Sequence, residues 1–421
     1  MRIAIIALGS RGDVQPYIAL GKSLKEAGHI VRLIATQDFE SQVKSHGLEF
    51  WSIRGNSQES IEDKEWRDVS EKGNLIVIMS QLIKHALRSS MEWMEDALIA
   101  CQGMDLLISG SVGLSIAISL AEKYHLPLLQ AHLFPITPTK TFPSLVFPQT
   151  LPNFGGTFNL ISHQLIYQMM IHASRPMLNQ ARQKVLGLPR ASLFDPTPAC
   201  LSKRFPMLYG FSPSVIPAPA DWSAENHVTG YWFLDSTDDW TPPAALLNFL
   251  QDGPPPIYIG FGSMSSRNPQ ETADLVIEAI KKTKQRALLF SGWGGLHKEN
   301  LPDSMLMIDS TPHDWLFPRV AAVVHHGGAG TTAAGLRAGV PSIVIPFLID
   351  QPFWGKRVHE LGVGPTPIPR RKLTVDRLAQ AIQVAVTDKD MRQRAADLGA
   401  KIQAENGIAN AVELIQKIYR S

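Results

Sequence analysis

Apolar positions along this chain fall into short unbroken runs, and between them lie longer stretches in which apolar residues recur at helical spacing. Residues 2–8 (RIAIIAL) make the first run, GSRGD follows as a turn, 14–27 carries a helical pattern closed by Gly28, and 30–35 is a second run. Strand, helix and strand in this order form a βαβ unit. The right-handed crossover rule then predicts a doubly wound parallel sheet with helices on both faces, an α/β fold. Residues 52–73 are polar and charged and read as a surface region. From 74 to 101 apolar residues stand at helical spacing (Leu75, Ile78, Met79, Leu82, Leu87, Met91, Met94, Leu98), which predicts a core-facing helix. Further strands are expected at 104–109 and 127–131.

From His132 to about Pro176 the pattern changes. Pro135, Pro138, Pro143, Pro148 and Pro152 alternate with Phe134, Phe142, Phe147, Phe154 and Phe158, and proline denies the stretch regular structure up to about Gly156. The rings are then held in loops, either as a wall for an apolar guest or as packing beneath the loop. Punctuation returns between Phe211 and Pro256, where a domain boundary is expected, with a linker at about 212–240. A second series follows: strand 257–261, a GSM turn, helix 270–282, strands 287–291 and 305–308, a turn at 314–317, and strand 320–324. The division expected is 1–211, linker 212–240, and 241–407, with the last residues 408–421 forming a helix.

A length of 421 residues exceeds one comfortable core and fits two domains. An apolar content of 44% with 19% charged residues belongs to an ordinary globular protein, and a net charge of +2 gives no reason to expect nucleic acid as a partner. Cys101 and Cys200 make no disulfide framework and show no metal-ligand spacing, so a reducing cytoplasm fits. The opening MRIAIIALGS lacks a cleavage pattern and reads as a strand. The most membrane-like stretch, 106–121, is broken by serines and glycines and reads as strand, glycine loop and helix.

The chemistry concentrates in residues 321–351 (AAVVHHGGAGTTAAGLRAGVPSIVIPFLIDQ). An apolar strand turns through His325, His326, Gly327, Gly328, Ala329 and Gly330 and enters a helix at Thr331 and Thr332. Unpaired amides and the dipole at a helix start attract phosphate, and glycines let it approach the backbone. His326 can add a hydrogen bond or a charge. A second strand (342–347) ends on Asp350 and Gln351, groups suited to sugar hydroxyls. Phosphate at one strand end and a polyol at the next describe a nucleotide sugar.

HHGGAGTT followed by AGVPSIVIPFLIDQP resembles the donor-binding signature of the family-one glycosyltransferases. PHDWLFP (312–318) with SGWGGL (291–296) is similar to the sterol glucosyltransferase branch, which lies close to the antibiotic-aglycone enzymes. The resemblance implies the GT-B fold: two facing Rossmann-like domains with an interdomain cleft, the first taking the acceptor, the second the nucleotide sugar, and the last helix returning to the first. It points to Asp13, in Gly12-Asp13-Val14-Gln15-Pro16, as the base that deprotonates the acceptor. Aspartate is also a favoured helix N-cap, and the two roles are compatible. Donor contacts are implied for Gly12, Ser263, His326, Gly328, Gly330 and Thr331 on the diphosphate side, His313 toward the nucleoside, and Asp350 and Gln351 toward the sugar. His325, on the opposite side of the strand end, is expected to be structural. Trp293 either stands near the donor sugar or packs in its glycine-rich turn. His132, Phe134 and Phe142 are candidates for the acceptor pocket, with a satisfied core histidine the other reading of His132. No metal or other cofactor is required, since fixed dipoles can stabilise the leaving diphosphate.

The activity expected is an inverting transfer of a sugar, glucose from UDP-glucose first, to a hydrophobic hydroxyl compound such as a sterol, triterpenoid, polyketide or flavonoid. UDP against dTDP, the oligomeric state and peripheral membrane contact stay open. A nucleotide-sugar epimerase, a nucleotide-dependent oxidoreductase and a non-catalytic binding protein are the rival readings, the oxidoreductase being opposed by the absence of G-x-G-x-x-G after the first strand.

Overall fold

The computed structural model describes residues 1–55, 91–149, 151, 154–191, 206–236, 240–261, 269–290, 301–309, 311–347 and 349–419. The chain divides into two compact bodies. The first is built from the amino-terminal half through Leu234 together with Glu405–Ser421, and the second from Asp235–Ala404.

The first body holds a parallel sheet of β1 (Arg2–Ile6), β2 (Ile30–Thr36), β3 (Glu49–Ile53), β4 (Leu106–Ser109), β5 (Leu128–His132), β6 (Met207–Tyr209) and β7 (Asn226–Val228), in the order β3-β2-β1-β4-β5-β6-β7. Its continuous apolar strands are explained by cover on both faces. Along β1 the side chains alternate: Ile3 and Ile5 enter one cluster, with Val14, Ile18 and Leu24 of the helix Arg11–Glu26. Ala4 and Ile6 enter the other, with Ala117, Leu120 and Ala121 of the helix Leu114–Tyr124. Gly28 (φ +89°) ends the first helix by turning left-handed, its N–H bonding Lys25 O at 2.9 Å.

The second body repeats the order. Its strands β8 (Ile257–Gly260), β9 (Ala287–Phe290), β10 (Met305–Ile308), β11 (Ala322–His325) and β12 (Ser342–Val344) lie as β10-β9-β8-β11-β12, all parallel. Ile257 and Ile259 pack with the helices Pro269–Thr283 and Val375–Thr387, while Tyr258 faces Leu246, Leu316 and Phe317 on the opposite side. Residues 314–317, expected as a turn, fall within a short helix, His313–Leu316, and the residue after it.

Two features bear on the expected division. β7 falls inside the stretch read as linker, so the first body continues through 212–234, because Met207, Leu208 and Tyr209 pair in register with Asn226, His227 and Val228. Prolines there mark turns within the body. The last helix, Gly407–Tyr419, packs Ala411, Val412 and Ile415 against the Arg11–Glu26 side of the first sheet. Its entry is pinned by Glu405, whose Oε1 accepts hydrogen bonds from the hydroxyls of Ser212 (2.7 Å) and Ser214 (2.9 Å). The expected helix at 74–101 is described only from residue 91, and 91–100 are helical. Among the described residues no helix is long and apolar enough to cross a membrane.

At Gly407 an added Cβ would stand 2.4 Å from the Tyr231 carbonyl oxygen and 2.5 Å from Gly230 C, both rigid backbone. Gly407→Ala is therefore expected to destabilise the first body by about 1–3 kcal/mol. A thermal melt with an unshifted midpoint would contradict this close packing.

Candidate active site

In the first sheet the strand order reverses between β1 and β4, and the carboxyl ends of these two strands part there. A small cavity open to solvent lies at that point. Ile6, Leu8, Leu133 and Phe134 give it apolar walls, the turn Gly110–Gly113 gives it a backbone edge, and three side chains, Asp13, Tyr17 and Ser111, give it polarity.

Asp13 is held by its own helix start. The helix begins at Arg11 with Ser10 as N-cap, so Asp13 is the third residue rather than the cap itself, which corrects the expected start at Val14. The Ser10 N–H and the Ser10 hydroxyl each donate to Asp13 Oδ2 at 2.8 Å. Gly9 must be glycine: its φ is +125°, and a Cβ there would lie 2.6 Å from Asp13 Oδ2. Burial pushes the Asp13 carboxyl above its ordinary pKa and the two Ser10 hydrogen bonds pull it down, with burial the larger effect. One helical turn on, the Tyr17 hydroxyl donates to Ala131 O at 2.5 Å. Burial, and then the Asp13 charge, push this phenol upward. Gly110 makes room for it, since a Cβ there would fall 2.0 Å from the Tyr17 oxygen.

Of the three acceptor candidates, the cavity takes Phe134 alone. His132 is fully buried, with Nδ1 3.0 Å from Ser111 Oγ and Nε2 3.3 Å from Gln130 Oε1, and burial pulls it down to about 3. It is the satisfied core histidine of the two readings. Phe142 is not among the lining residues; its ring is 6.2 Å from that of His163 and its carbonyl accepts from His163 Nε2 at 3.1 Å. The reason is the buried polar side of the helix Gly156–Ala181: Asn159 and Ser162 also bond the preceding loop, at Lys140 O (2.8 Å) and Ser144 N (2.9 Å). Gly12 is exposed on the first turn of the Arg11–Glu26 helix.

The second sheet reverses its order between β8 and β11. Ser263 and Trp293 lie outside the described residues. At the end of β11, His325 points into the core, and its Nδ1 accepts the Gly327 N–H at 3.1 Å. Gly327 has φ +92°, and a Cβ would meet Val344 Cγ1 at 2.6 Å. The His326 ring stands at 89° to that of His325, centroids 6.5 Å apart. Its Nδ1 is buried without a hydrogen-bond partner among the described residues. Its Nε2 stands 2.5 Å from where a Cβ of Gly328 would be. Burial pulls His326 down to about 4, so of the two contributions expected, hydrogen bond or charge, a neutral ring offers the hydrogen bond. Gly328 caps the helix Ala329–Arg337, which opens two residues before Thr331. Gly328 O accepts from both the N–H and the hydroxyl of Thr332 at 2.9 Å. The N–H groups of Ala329, Gly330 and Thr331, in the first turn, have no acceptor within the helix.

Asp350 and Gln351 open the helix Gln351–Glu360. Asp350 Oδ2 accepts from Trp354 Nε1 at 2.9 Å, and buried Gln351 uses Oε1 to accept the Phe347 N–H at 2.8 Å. The Gln351 bond spans Ile349 (φ +57°), while the Asp350 bond lies within its own helix. His313 stacks on Phe317, centroids 4.3 Å apart and planes 15° apart, with Tyr258 edge-on at 5.9 Å. Among the described residues no group of three or more His, Cys, Asp or Glu could hold a metal ion. Tyr17, Ser111, Gly9 and Gly110 were missed in the sequence. Tyr17 could have been found from its place four residues after Asp13 on one helix face, and Ser111 from the glycine turn after β4.

Because its folded-state pKa is raised, ionised Asp13 opposes folding: the stability it leaves intact is present at low pH and lost as pH rises through the raised value. Asp13→Asn, which keeps an oxygen for Ser10, is expected to melt a few degrees higher than the parent near pH 8, with the gap closing at pH 3. A gap that widens on acidification would reverse the assigned sign.

Residues 3–143 match the glycosyltransferase family 28 N-terminal domain, and residues 294–418 match the C-terminal domain of the erythromycin biosynthesis protein CIII-like family. The chain is 37% identical over 445 residues to a sterol 3-beta-glucosyltransferase of Cryptococcus neoformans var. neoformans, covering 99% of this chain and 27% of that protein. It is 38% identical over 436 residues to the enzyme of the same name from Neosartorya fischeri, covering 100% of this chain and 29% of that one. The chain thus spans less than a third of the length of these two relatives. Its fold is shared with the Streptomyces sp. SF2575 glycosyltransferase SsfS6 in complex with thymidine diphosphate (TM-score 0.67, 20% identity, 99% of each chain). It is also shared with the spinosyn forosaminyltransferase SpnP (TM-score 0.69, 15% identity, 100% of each chain). The chain thus carries a glycosyltransferase family 28 amino-terminal domain, its two parallel-sheet bodies have the GT-B fold of these glycosyltransferases, and over its whole length it is similar to the sterol 3-beta-glucosyltransferases.

Proposed function

We propose that this chain transfers glucose from UDP-glucose to the hydroxyl of a sterol-like acceptor, with inversion at the sugar. The observation that carries the reading is Asp13: a carboxylate gripped on one oxygen by Ser10, set among apolar walls where the strand order reverses, with its pKa raised. The similarity to sterol 3-beta-glucosyltransferases supports the sugar and the acceptor class.

In this reading an acceptor hydroxyl donates to Asp13 while its carbon skeleton lies on Ile6, Leu8, Leu133 and Phe134. As the new C–O bond forms at the anomeric carbon, the proton passes to Asp13 and the bond to the diphosphate breaks with its electron pair. One displacement with one base and no enzyme nucleophile inverts the centre. The raised pKa matters because a carboxylate at its ordinary value is a weak base toward an alcohol. The charge that develops on the diphosphate is met by the amides of Ala329, Gly330 and Thr331 and by the neutral ring of His326, with no metal in the scheme. His313 is the nucleoside contact and Asp350 the sugar-side carboxylate.

Mass-spectrometric assay of UDP- and dTDP-sugars against sterols and phenols tests the whole reading, a glucosylated sterol being expected from UDP-glucose. Asp13→Ala is expected to lower kcat by about 10²- to 10⁴-fold with the Kd for UDP unchanged by calorimetry. Near-parental turnover would remove the base role. Gly328→Ala must displace the His326 ring, so UDP should bind about tenfold more weakly, which is about 1.4 kcal/mol. Unaltered UDP affinity would place the diphosphate elsewhere.

A further inference from the structure

A surface helix in water ordinarily turns its polar residues outward and buries its apolar stripe. The helix Gly156–Ala181 of the first body is built the other way round. Its buried residues include Asn159, Ser162 and His163, and all three are bonded. Asn159 Nδ2 donates to Lys140 O at 2.8 Å, His163 Nε2 donates to Phe142 O at 3.1 Å, and Ser162 Oγ accepts the Ser144 N–H at 2.9 Å. The proline-rich loop before the helix has no sheet partner for these backbone groups, and the inward polar face satisfies them. The apolar residues are left facing out. Ile161 and Leu165 are 55% and 56% exposed, and Phe154, 60% exposed just ahead of the helix, has its ring 4.9 Å from that of Phe158. Phe158, Ile161 and Leu165 succeed one another at helical spacing and so line one face. Tyr167 and Met170 extend the exposed apolar surface at 46% and 43%.

Charge along the same stretch is one-sided. No Asp, Glu, Lys or Arg stands between Lys140 and Arg175, and from Lys140 to Arg190 the only charged side chains are Lys140, Arg175, Arg182, Lys184 and Arg190, all cationic. Arg182 is spent inside the body on Glu122 at 2.7 Å, and the Asp221 carboxylate accepts the Lys140 N–H at 2.7 Å, but Lys140, Lys184 and Arg190 are exposed. A second copy of the chain would bring like charges together. A bilayer with anionic headgroups accepts both the apolar face and the cations that flank it, and asks for no shape complementarity. Among the described residues no helix is long and apolar enough to cross a membrane, so the contact is with the membrane surface. We infer that the helix Gly156–Ala181 is a membrane-docking element, which lays Phe154, Ile161 and Leu165 into the interface of an anionic bilayer and so brings the first body to the phase that holds its acceptor. The last clause rests on the sterol-like acceptor of the proposed function; the docking face itself does not.

The test is co-sedimentation of the full chain with vesicles of phosphatidylcholine alone and of phosphatidylcholine and phosphatidylserine in equal parts. The chain is expected to bind the mixed vesicles, several-fold more tightly than the neutral ones, and to weaken as salt is raised. Ile161→Gln combined with Leu165→Gln is expected to weaken binding by about tenfold or more, with the thermal midpoint unshifted because both side chains already face water. Should the double variant melt early, the two single variants carry the same comparison. A parent that sediments with neither vesicle, that binds both alike, or that binds as tightly after the substitutions overturns the inference, as does a dimer in solution that the substitutions break. The mode of sterol supply separates this from the acceptor reading. On sterol held in mixed vesicles the double variant should turn over about tenfold more slowly than the parent, and on sterol delivered by cyclodextrin at the parent rate. Equal loss on both supplies would give this face to the acceptor itself and overturn the inference. A parent that binds vesicles yet glucosylates sterol from neither supply would refute the acceptor reading and leave the docking face standing.

Discussion

A parallel sheet covered by helices on both faces has consumed nearly all of its surface in burial, and its backbone polar groups are spent in the ladder. What remains for a ligand is the carboxyl edge, and on that edge the place where successive connections leave toward opposite faces. Both bodies of this chain obey that constraint, with the reversal between β1 and β4 in one and between β8 and β11 in the other. Asp13 and Ser111 stand at the first reversal; His326 and Gly328 stand at the second.

At the first reversal the decisive contest is between desolvation and hydrogen bonding on one carboxylate. The Ser10 hydrogen bonds pull the Asp13 carboxyl down and burial pushes it up, with burial the larger effect. The Ser10 bonds occupy Oδ2 and orient the group, while the apolar walls set its proton affinity. Gly9 and Gly110 serve this arrangement by absence: each leaves the space that the Asp13 carboxylate and the Tyr17 hydroxyl fill.

At the second reversal the same logic runs through an imidazole. Gly327 folds back onto His325 Nδ1, and the His326 ring lies against Gly328, the cap of the following helix. The ring is kept neutral by burial, so its contribution is directional hydrogen bonding added to the positive end of a helix dipole.

Much of this was legible along the chain. The strand Met305–Ile308 has the bounds that its apolar run predicts, Gly28 closes its helix, and the HHGG turn sits between a strand and a helix start. Those features are local: they depend on period, on turn chemistry and on which residues tolerate a left-handed backbone, all of which neighbours in sequence decide. Beyond that range only the tertiary structure decided which polar atoms were already engaged. His132 is spent on Ser111 and Gln130, Phe142 on His163, and Gln351 on the Phe347 amide. Tyr17 joins the site through a carbonyl 114 positions away. A residue type states what a side chain can do. Whether it is free to do so depends on burial and partners brought together by folding, and these distant pairings leave no period in the sequence.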